Sequence, residues 1–112
     1  MLKLPLPPAL YLILAVLAEG PAHGYRLRAE IIARSAGALR LDPGSLYRLI
    51  ARLLDDGLIA EATDRQAPAG PPRRLYRLTT EGRKVLSAET TRLADLVTGV
   101  RAALSRGRAR HT

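Results

Sequence analysis

The sequence predicts a mainly α-helical fold with one small β-hairpin, and three observations support this fold class. Three apolar segments with helix start and stop signals occupy the first half of the chain, each ending at a glycine. Two short strand-like segments then flank a proline-rich loop, and a long segment with heptad spacing follows. A chain of 112 residues buries only about 60 to 70% of its unfolded surface, so we expect a single core.

The first helix is predicted over residues 8–19, between a proline-rich start and the stop formed by Gly20 and Pro21. Its apolar side chains surround the helix axis, so we expect it to be covered on more than one side. A second subunit is a natural cover in so small a protein, and Leu10 and Leu14 are therefore assigned to a dimer contact. The apolar run over residues 9–18 is too short to span a membrane, which needs about 20 residues.

The second helix is predicted to begin at residue 22 or 24 and to run to Ser35, with Gly37 ending it. Leu27 and Ile31 are four residues apart and face inward, whereas the arginines of this segment face mostly outward. The connection over residues 36–41 is longer than the three or four residues of a simple helix-turn-helix.

The third helix is predicted to begin at Asp42 and Pro43, because Asp can cap free backbone N–H groups and Pro fits the first helical position. Gly57 ends it. At 100° per residue the apolar side chains share one face: Leu46, Leu49, Ile50 and Leu53. The opposite face carries Gly44, Arg48, Ala51, Arg52 and Asp55. The helix can therefore rest on its own core while its arginines stay free.

A hairpin is predicted from residues 58–63 and 74–79, which bracket a loop over residues 64–73 that contains Pro68, Gly70, Pro71 and Pro72. Positive charge collects there, at Arg65, Arg73, Arg74 and Arg77. A solvated loop is usually polar, so the single Arg65 means little. The adjacent pair of Arg73 and Arg74 is the better candidate for contacting an anionic partner.

The last helix is predicted from Thr80 to Ser105, with Thr79 as its cap. These 26 residues span about 39 Å, more than the roughly 30 Å width of a small domain. The apolar seam follows heptad steps through Leu86, Thr90, Leu93, Val97, Val100 and Leu104. We therefore expect a partner helix rather than packing on its own domain, and divide the chain into residues 1–79, a dimerisation helix over 80–106 and a basic, disordered tail over 107–112.

The charge of the chain is strongly basic: 18 Lys and Arg stand against 10 Asp and Glu, giving a net charge of +8, and sixteen of the basic residues are Arg. A polyanion is one explanation, and a base-composition bias toward Arg and Ala is the other, so the placement of the arginines must decide. The absence of Cys excludes disulfides and thiolate metal sites and points to the cytoplasm. With no metal-ligand spacing, phosphate-cradling glycine motif or acid–base cluster, we expect no enzyme, metal or cofactor.

The order of the elements is that of a winged helix-turn-helix module with an added dimerisation helix. In such a module the outward side chains of the third helix enter the major groove, here Ser45, Tyr47, Arg48, Ala51 and Arg52. Arg73 and Arg74 on the hairpin, or wing, would follow the DNA backbone or minor groove. Asp55 and Asp56 would repel phosphate, so the first half of the helix should lie closest to DNA. A winged helix used only for protein–protein contact is the alternative, but it would need an exposed apolar face in place of the arginines.

Several single residues allow two interpretations. Tyr47 can donate a hydrogen bond to a phosphate or lie at the edge of the core, and we favour the phosphate. His23 and Tyr25 open the second helix near the expected DNA backbone, yet a lone His more often forms only local hydrogen bonds. A further set could line a ligand cleft between subunits, although the dimer core is the favoured interpretation: Leu93, Leu96, Val97 and Val100.

Three segments together resemble the PadR-like transcriptional regulators. They are "ILAVLAEGPAHGYRLRAEI" (residues 13–31), "LDPGSLYRLIARLLDDGLI" (residues 41–59) and "PPRRLYRLTTEGR" (residues 71–83), so the resemblance covers residues 10–83. The single short terminal helix is similar to that of the smaller PadR subfamily. Some of its members hold flat aromatic compounds between tryptophans, and this chain contains no Trp or Phe.

The resemblance implies a homodimeric winged-helix repressor that binds a double-stranded DNA operator with an inverted repeat and is usually released by a small-molecule effector. It implies that the "PGSLYR" helix and the wing contact DNA and that the first and last helices build the dimer. No membrane partner is expected.

Overall fold

The computed structural model describes residues 4–63 and 73–111, the last three by their backbone only. Four helices and three strands occupy these ranges, and they confirm the predicted mainly helical class with a small antiparallel sheet. The helices are α1 (Pro8–Ala18), α2 (Gly24–Arg34), α3 (Pro43–Asp55) and α4 (Thr80–His111). The strands are β1 (Ala22–His23), β2 (Ile59–Ala62) and β3 (Leu75–Leu78). Arg65 and the prolines of the wing loop lie outside the described residues.

The sheet has three strands rather than the two of the predicted hairpin. β2 and β3 pair antiparallel with Ile59 opposite Leu78, and β1 adds to the other side of β3 with Ala22 opposite Tyr76. β3 is therefore the middle strand. Because β1 leads directly into α2, the base of the wing is hydrogen-bonded to the start of that helix.

The hydrophobic core lies where α1, α2, α3 and the sheet meet, and it is closed by Tyr76, which is 1% exposed on β3. α1 contacts α2, α4 and β3 within one chain. Leu10 and Leu14 are fully buried there. These two side chains are thus covered by their own chain, whereas Tyr11 and Leu12 on the same helix stay partly exposed. The dimer contact assigned to Leu10 and Leu14 stays a prediction.

α3 begins and ends where the sequence predicts. Pro43 occupies the first turn and Asp42 the N-cap position. The carboxyl of Asp42 does not reach full hydrogen-bond geometry with the free amides, but the side chain and the backbone N–H of Ser45 hold the pKa of that carboxyl below 3.8. At the other end Gly57 adopts a positive φ of 72°, a conformation that strongly favours glycine and stops the helix.

α4 begins with the predicted cap, because the Gly82 N–H donates to Thr79 Oγ1 at 3.0 Å. Its 32 residues span about 48 Å, and residues 94–106 are all exposed. The helix continues to His111, so residues 107–111, expected to be disordered, extend it instead. Arg and Ala are good helix formers, and positive charge is favourable at a helix C-terminus.

A buried carboxylate connects the N-terminal segment to α4. Glu89 is fully buried, accepts the backbone N–H of Leu6 at 2.7 Å and pairs with Arg92. The hydrogen bond from Arg92 is the main cause that lowers the pKa of the Glu89 carboxyl below 4.5, with the Leu6 N–H contributing and burial opposing both. The negative charge is thus fully partnered inside the protein.

We expect this pair to make stability depend on pH. Because the pKa of Glu89 is lower in the folded protein, its contribution is fully present above its ordinary value of 4.5 and is lost as the pH falls through the folded pKa. Urea unfolding of the protein and of Glu89→Gln should therefore differ most at neutral pH and converge in acid. Glu81→Gln, which removes an exposed partner of Lys84, is the control and should show little such convergence. A Glu89→Gln difference that stays constant into acid would contradict this account.

Candidate nucleic-acid interface

The outward face of α3 is polar and basic, as the helical spacing predicts. Leu46, Ile50 and Leu53 are buried in the core, whereas Arg48 and Arg52 are exposed and Tyr47 is 52% exposed. Ser45 is half-buried, and its Oγ accepts a hydrogen bond from Arg48 Nη2 at 2.9 Å. Two guanidinium groups one helical turn apart therefore stand on a surface that the core does not need.

The start of α2 presents a stacked aromatic pair to the wing. The His23 and Tyr25 rings lie 5.6 Å apart and are nearly parallel, at 12°. Arg73 places its guanidinium carbon 5.8 Å from the centre of the Tyr25 ring, a cation–π contact. His23 Nδ1 donates to the backbone oxygen of Arg74 at 3.0 Å. These contacts attach the wing arginines to the start of α2.

A concave surface lies where α2, α3 and the wing meet, and the hollow that it encloses has a volume of about 420 Å³. The residues that line it are His23, Gly24, Tyr25, Tyr47, Arg73 and Arg74. Five of the eight residues predicted to contact DNA are thus brought together. Gly24 lets the Tyr47 ring approach α2 closely, since a Cβ there would lie 3.1 Å from Tyr47 Oη. Ser45, Arg48 and Arg52 are not part of this lining and lie on the adjoining face of α3.

Arg28 is a further candidate for contacting nucleic acid, and the sequence analysis did not predict it. It lines a second hollow together with Tyr25 and Tyr47, and its Nε donates to the backbone oxygen of Leu41 at 2.6 Å. It follows Tyr25 by three residues on the same helix, so the two share a face. That spacing was the available signal.

The wing arginines are exposed and only loosely held by acidic groups. Arg74 Nε lies 3.6 Å from Glu61 Oε1, and both side chains are more than half exposed. Such surface pairs contribute about 0 to 1 kcal/mol, so Arg74 can exchange Glu61 for an external anion at small cost. Tyr76 lies behind it, and burial raises the pKa of the Tyr76 hydroxyl above 10.0, with Arg74 opposing.

A separate apolar surface runs along the projecting half of α4. Leu96, Val97, Val100 and Leu104 are 49% to 59% exposed. One shallow hollow there is lined by Leu93, Leu96, Val97, Val100 and Arg101, the set assigned from sequence to a ligand or the dimer core, with Arg101 added. Leu86 and Leu93 are half-buried.

Within the described part of the chain, no helix is long and apolar enough to cross a bilayer, and no group of three metal-ligating side chains occurs.

Two relatives show how far the similarity extends along the chain. The transcriptional regulator Rv3488 of Mycobacterium tuberculosis is 34% identical over 79 residues, which cover 70% of this chain and 69% of that protein. A 37.1 kDa protein in a transposon of Streptomyces fradiae is 39% identical over 87 residues. That match covers 76% of this chain but only 23% of the transposon protein, so this chain spans less than a quarter of its relative.

A solved structure shows the same fold, and a sequence profile identifies the family. A crystal structure of a PadR family transcription regulator from Clostridium difficile superposes with a TM-score of 0.72 at 22% identity, covering 88% of this chain and 99% of that one. The sequence profile of the "Transcriptional regulator PadR-like family" matches residues 13–88. The chain therefore belongs to the PadR-like family of transcriptional regulators.

Proposed function

We propose that this regulator is a homodimeric repressor that binds a double-stranded DNA operator with an inverted repeat. The observation that carries the proposal is the meeting of tyrosines and arginines from α2, α3 and the wing on one concave surface beside Arg48 and Arg52. Residues 1–79 form the DNA-binding part, and the helix from residue 80 onward joins the subunits.

α3 supplies the contacts that select a base sequence. The major groove is wide enough for one helix, and arginine forms paired hydrogen bonds with guanine edges. Arg48 is already oriented by Ser45, and Arg52 follows one turn later on the same face. The exposed face is basic instead of apolar, which favours DNA over the alternative of a protein-binding winged helix.

The concave surface supplies the contacts that position the DNA backbone. The side chains of Tyr25 and Tyr47 are more than half exposed, and their hydroxyls can donate to phosphate oxygens, while Arg73 and Arg74 neutralise charge. The stack of Arg73 on Tyr25 holds one guanidinium in place before DNA arrives. His23 contributes by fixing the backbone of Arg74.

The second subunit covers the exposed apolar face of α4. Val97, Val100 and Leu104 follow steps of three and four residues and project beyond the domain, which is the arrangement of a helix seam that packs against a partner helix. A small-molecule effector would act where it competes with or bridges this seam, at Leu93, Leu96, Val97 and Val100. The dimer core remains the primary role of these residues.

Truncating an arginine of α3 and truncating an arginine of the wing should have different effects on DNA binding. Arg48→Ala is expected to weaken the free energy of binding to the preferred operator by about 1 to 3 kcal/mol, because it removes a base contact. Binding to other DNA should change little. Arg74→Ala is expected to weaken all duplexes similarly and to flatten the salt dependence by about one unit of slope, because it removes a phosphate contact. Fluorescence anisotropy on operator and random duplexes over a salt series measures both.

Arg106→Ala is the charge-matched control, since Arg106 is exposed near the far end of α4 and should alter neither quantity. Identical behaviour of Arg48→Ala and Arg74→Ala across sequences would contradict the assignment of roles.

The operator itself is found by selecting bound fragments from the genome of the source organism. We expect an inverted repeat whose half-sites lie about 34 Å apart, one helical turn or a multiple of it. Equal affinity for selected and random DNA would show nonspecific binding and overturn the proposed function.

A further inference from the structure

The C-terminal end of α3 and the N-terminal end of α4 are in direct contact at the base of the wing. The contact is formed by Gly57 and Leu58, which follow the C-cap of α3, and by Thr79 and Gly82, at the cap and in the first turn of α4. We refer to these four residues as the α3–α4 joint. β2 and β3 leave from it side by side, with Ile59 opposite Leu78.

One hydroxyl serves both helices in this joint. Thr79 Oγ1 accepts the N–H of Gly82 at 3.0 Å, which caps α4, and donates to the backbone oxygen of Gly57 at 2.7 Å, which belongs to the terminal turn of α3. The Thr79 N–H also donates to the backbone oxygen of Leu58 at 3.1 Å. A hydroxyl can donate once and accept at the same time, so this side chain uses both capacities.

The joint is also tightly packed. A Cβ added at Gly82 would lie 1.9 Å from the backbone oxygen of Leu58 and 2.9 Å from its carbonyl carbon. The first turn of α4 therefore rests directly on the backbone that ends α3, with no side chain between them. α3 is held from its own side by the Leu58 N–H, which donates to the backbone oxygen of Leu53 at 3.0 Å. Contact between two backbones leaves little freedom for the helices to rotate against each other.

We propose that Thr79 is a positioning residue that sets the angle of α3 relative to α4, and through it the half-site spacing that the regulator reads. The inference rests on the proposed function, in which α4 joins the subunits and α3 enters the groove. In such a dimer the distance between the two α3 helices depends on one joint in each subunit. Thr79 then acts on DNA selection without touching DNA.

Two substitutions separate this role from simple helix capping. Asp is as good a cap as Thr, but an ionised carboxylate cannot donate to the backbone oxygen of Gly57. Thr79→Asp therefore keeps the cap of α4 and removes the bridge to α3. Thr79→Ser keeps both hydrogen bonds and is the matched rescue variant. If Thr79 only caps α4, the two variants should behave alike.

Distance measurement between the two subunits tests the joint without DNA. The chain contains no Cys, so Asp55→Cys, at the exposed end of α3, carries one spin label per subunit. Double electron–electron resonance should give a narrow distribution for the otherwise unchanged protein and for Thr79→Ser. For Thr79→Asp it should broaden or shift, with unchanged dimer mass and helical circular dichroism.

A spacing series tests the same joint with DNA. The half-site selected by the protein is placed in duplexes with the original spacer and with spacers one or two base pairs longer or shorter. We expect Thr79→Asp to reduce the preference for the original spacer roughly fivefold or more, while Thr79→Ser retains it. A loss of stability alone would weaken binding to every spacer equally.

The outcomes distinguish the two proposals. If the unmodified protein forms no dimer or selects no inverted repeat, the proposed function fails. If it does both and Thr79→Asp keeps the narrow distances and the spacer preference, only the role of Thr79 is overturned. If Thr79→Asp does not fold, Thr79→Ala takes its place: unchanged distances and spacer preference overturn the role of Thr79, and a shift that Thr79→Ser does not show supports it.

Discussion

A single negative charge on the exposed face of α4 is expected to separate the subunits and remove operator binding. Val97 is 49% exposed at the centre of the apolar seam, so in the proposed dimer Val97→Asp places an unpaired carboxylate between two helices. Burying such a charge costs several kcal/mol. Light scattering at micromolar concentration should then report the mass of one chain. Affinity for the operator should fall about 100-fold or more, because the two half-sites are no longer bound together.

Ala102→Asp is the control for this change, because it places the same charge on the exposed opposite side of α4, five residues and about 140° away. It should leave mass and affinity close to those of the unchanged protein. A dimer that survives Val97→Asp, or a wild-type mass equal to one chain, would remove the homodimer from the proposed function.

Gly82→Ala is expected to cause the largest loss of stability among the glycine-to-alanine substitutions in the described part of the chain. The added Cβ would lie 1.9 Å from the backbone oxygen of Leu58 and 2.7 Å from Leu78 Cδ1. Backbone cannot turn aside as a flexible side chain can, so the first turn of α4 must move off the end of α3. We expect the free energy of unfolding to fall by roughly 3 kcal/mol or more, measured by urea unfolding at fixed protein concentration.

Gly107→Ala is the matched control, because nothing lies within 4 Å of the Cβ it would add. Ala favours a helix over Gly by about 1 kcal/mol in a helix interior, so this variant should be neutral or slightly more stable. Equal effects of the two substitutions would mean that the close approach at Gly82 carries no energy.

Much of the fold could be predicted because its signals are local. The stops at Gly20 and Gly57, the start at Pro43 and the cap at Thr79 each depend on the conformation of one or two residues, so sequence is sufficient to find them. β1 could not be found this way. It has only two residues, Ala22 and His23, and neither has the side-chain pattern of a strand; the pairing depends on where β3 passes.

Long-range packing accounts for the features that the sequence did not reveal. The apolar residues all around α1 predict several covering surfaces, and α2, α4 and β3 supply three of them, which sequence alone could not identify. Leu10 and Leu14 are buried by these elements of their own chain, which sequence alone did not indicate. The burial of Glu89 could not be predicted either, because it depends on the contacts with Leu6 and Arg92 that only the folded chain forms.

The proposed DNA contacts show the same division. Spacing along α3 was sufficient to place Arg48 and Arg52 opposite the buried leucines. The stack of His23, Tyr25 and Arg73 joins residues about fifty positions apart in the chain, and only the fold shows that they meet. Arg28 belongs with them through geometry that its own neighbourhood in the sequence only hints at.

The way α3 is seated also bears on how such a regulator can acquire a new target. Leu46, Ile50 and Leu53 anchor the helix in the core. The exposed side chains at positions 48, 51 and 52 therefore contribute almost nothing to the stability of the fold. Side chains there can be exchanged in combination while the protein stays intact. A small library randomised at these three sites should therefore yield folded descendants with altered operator preference, and natural duplicates of the gene can diverge by the same route.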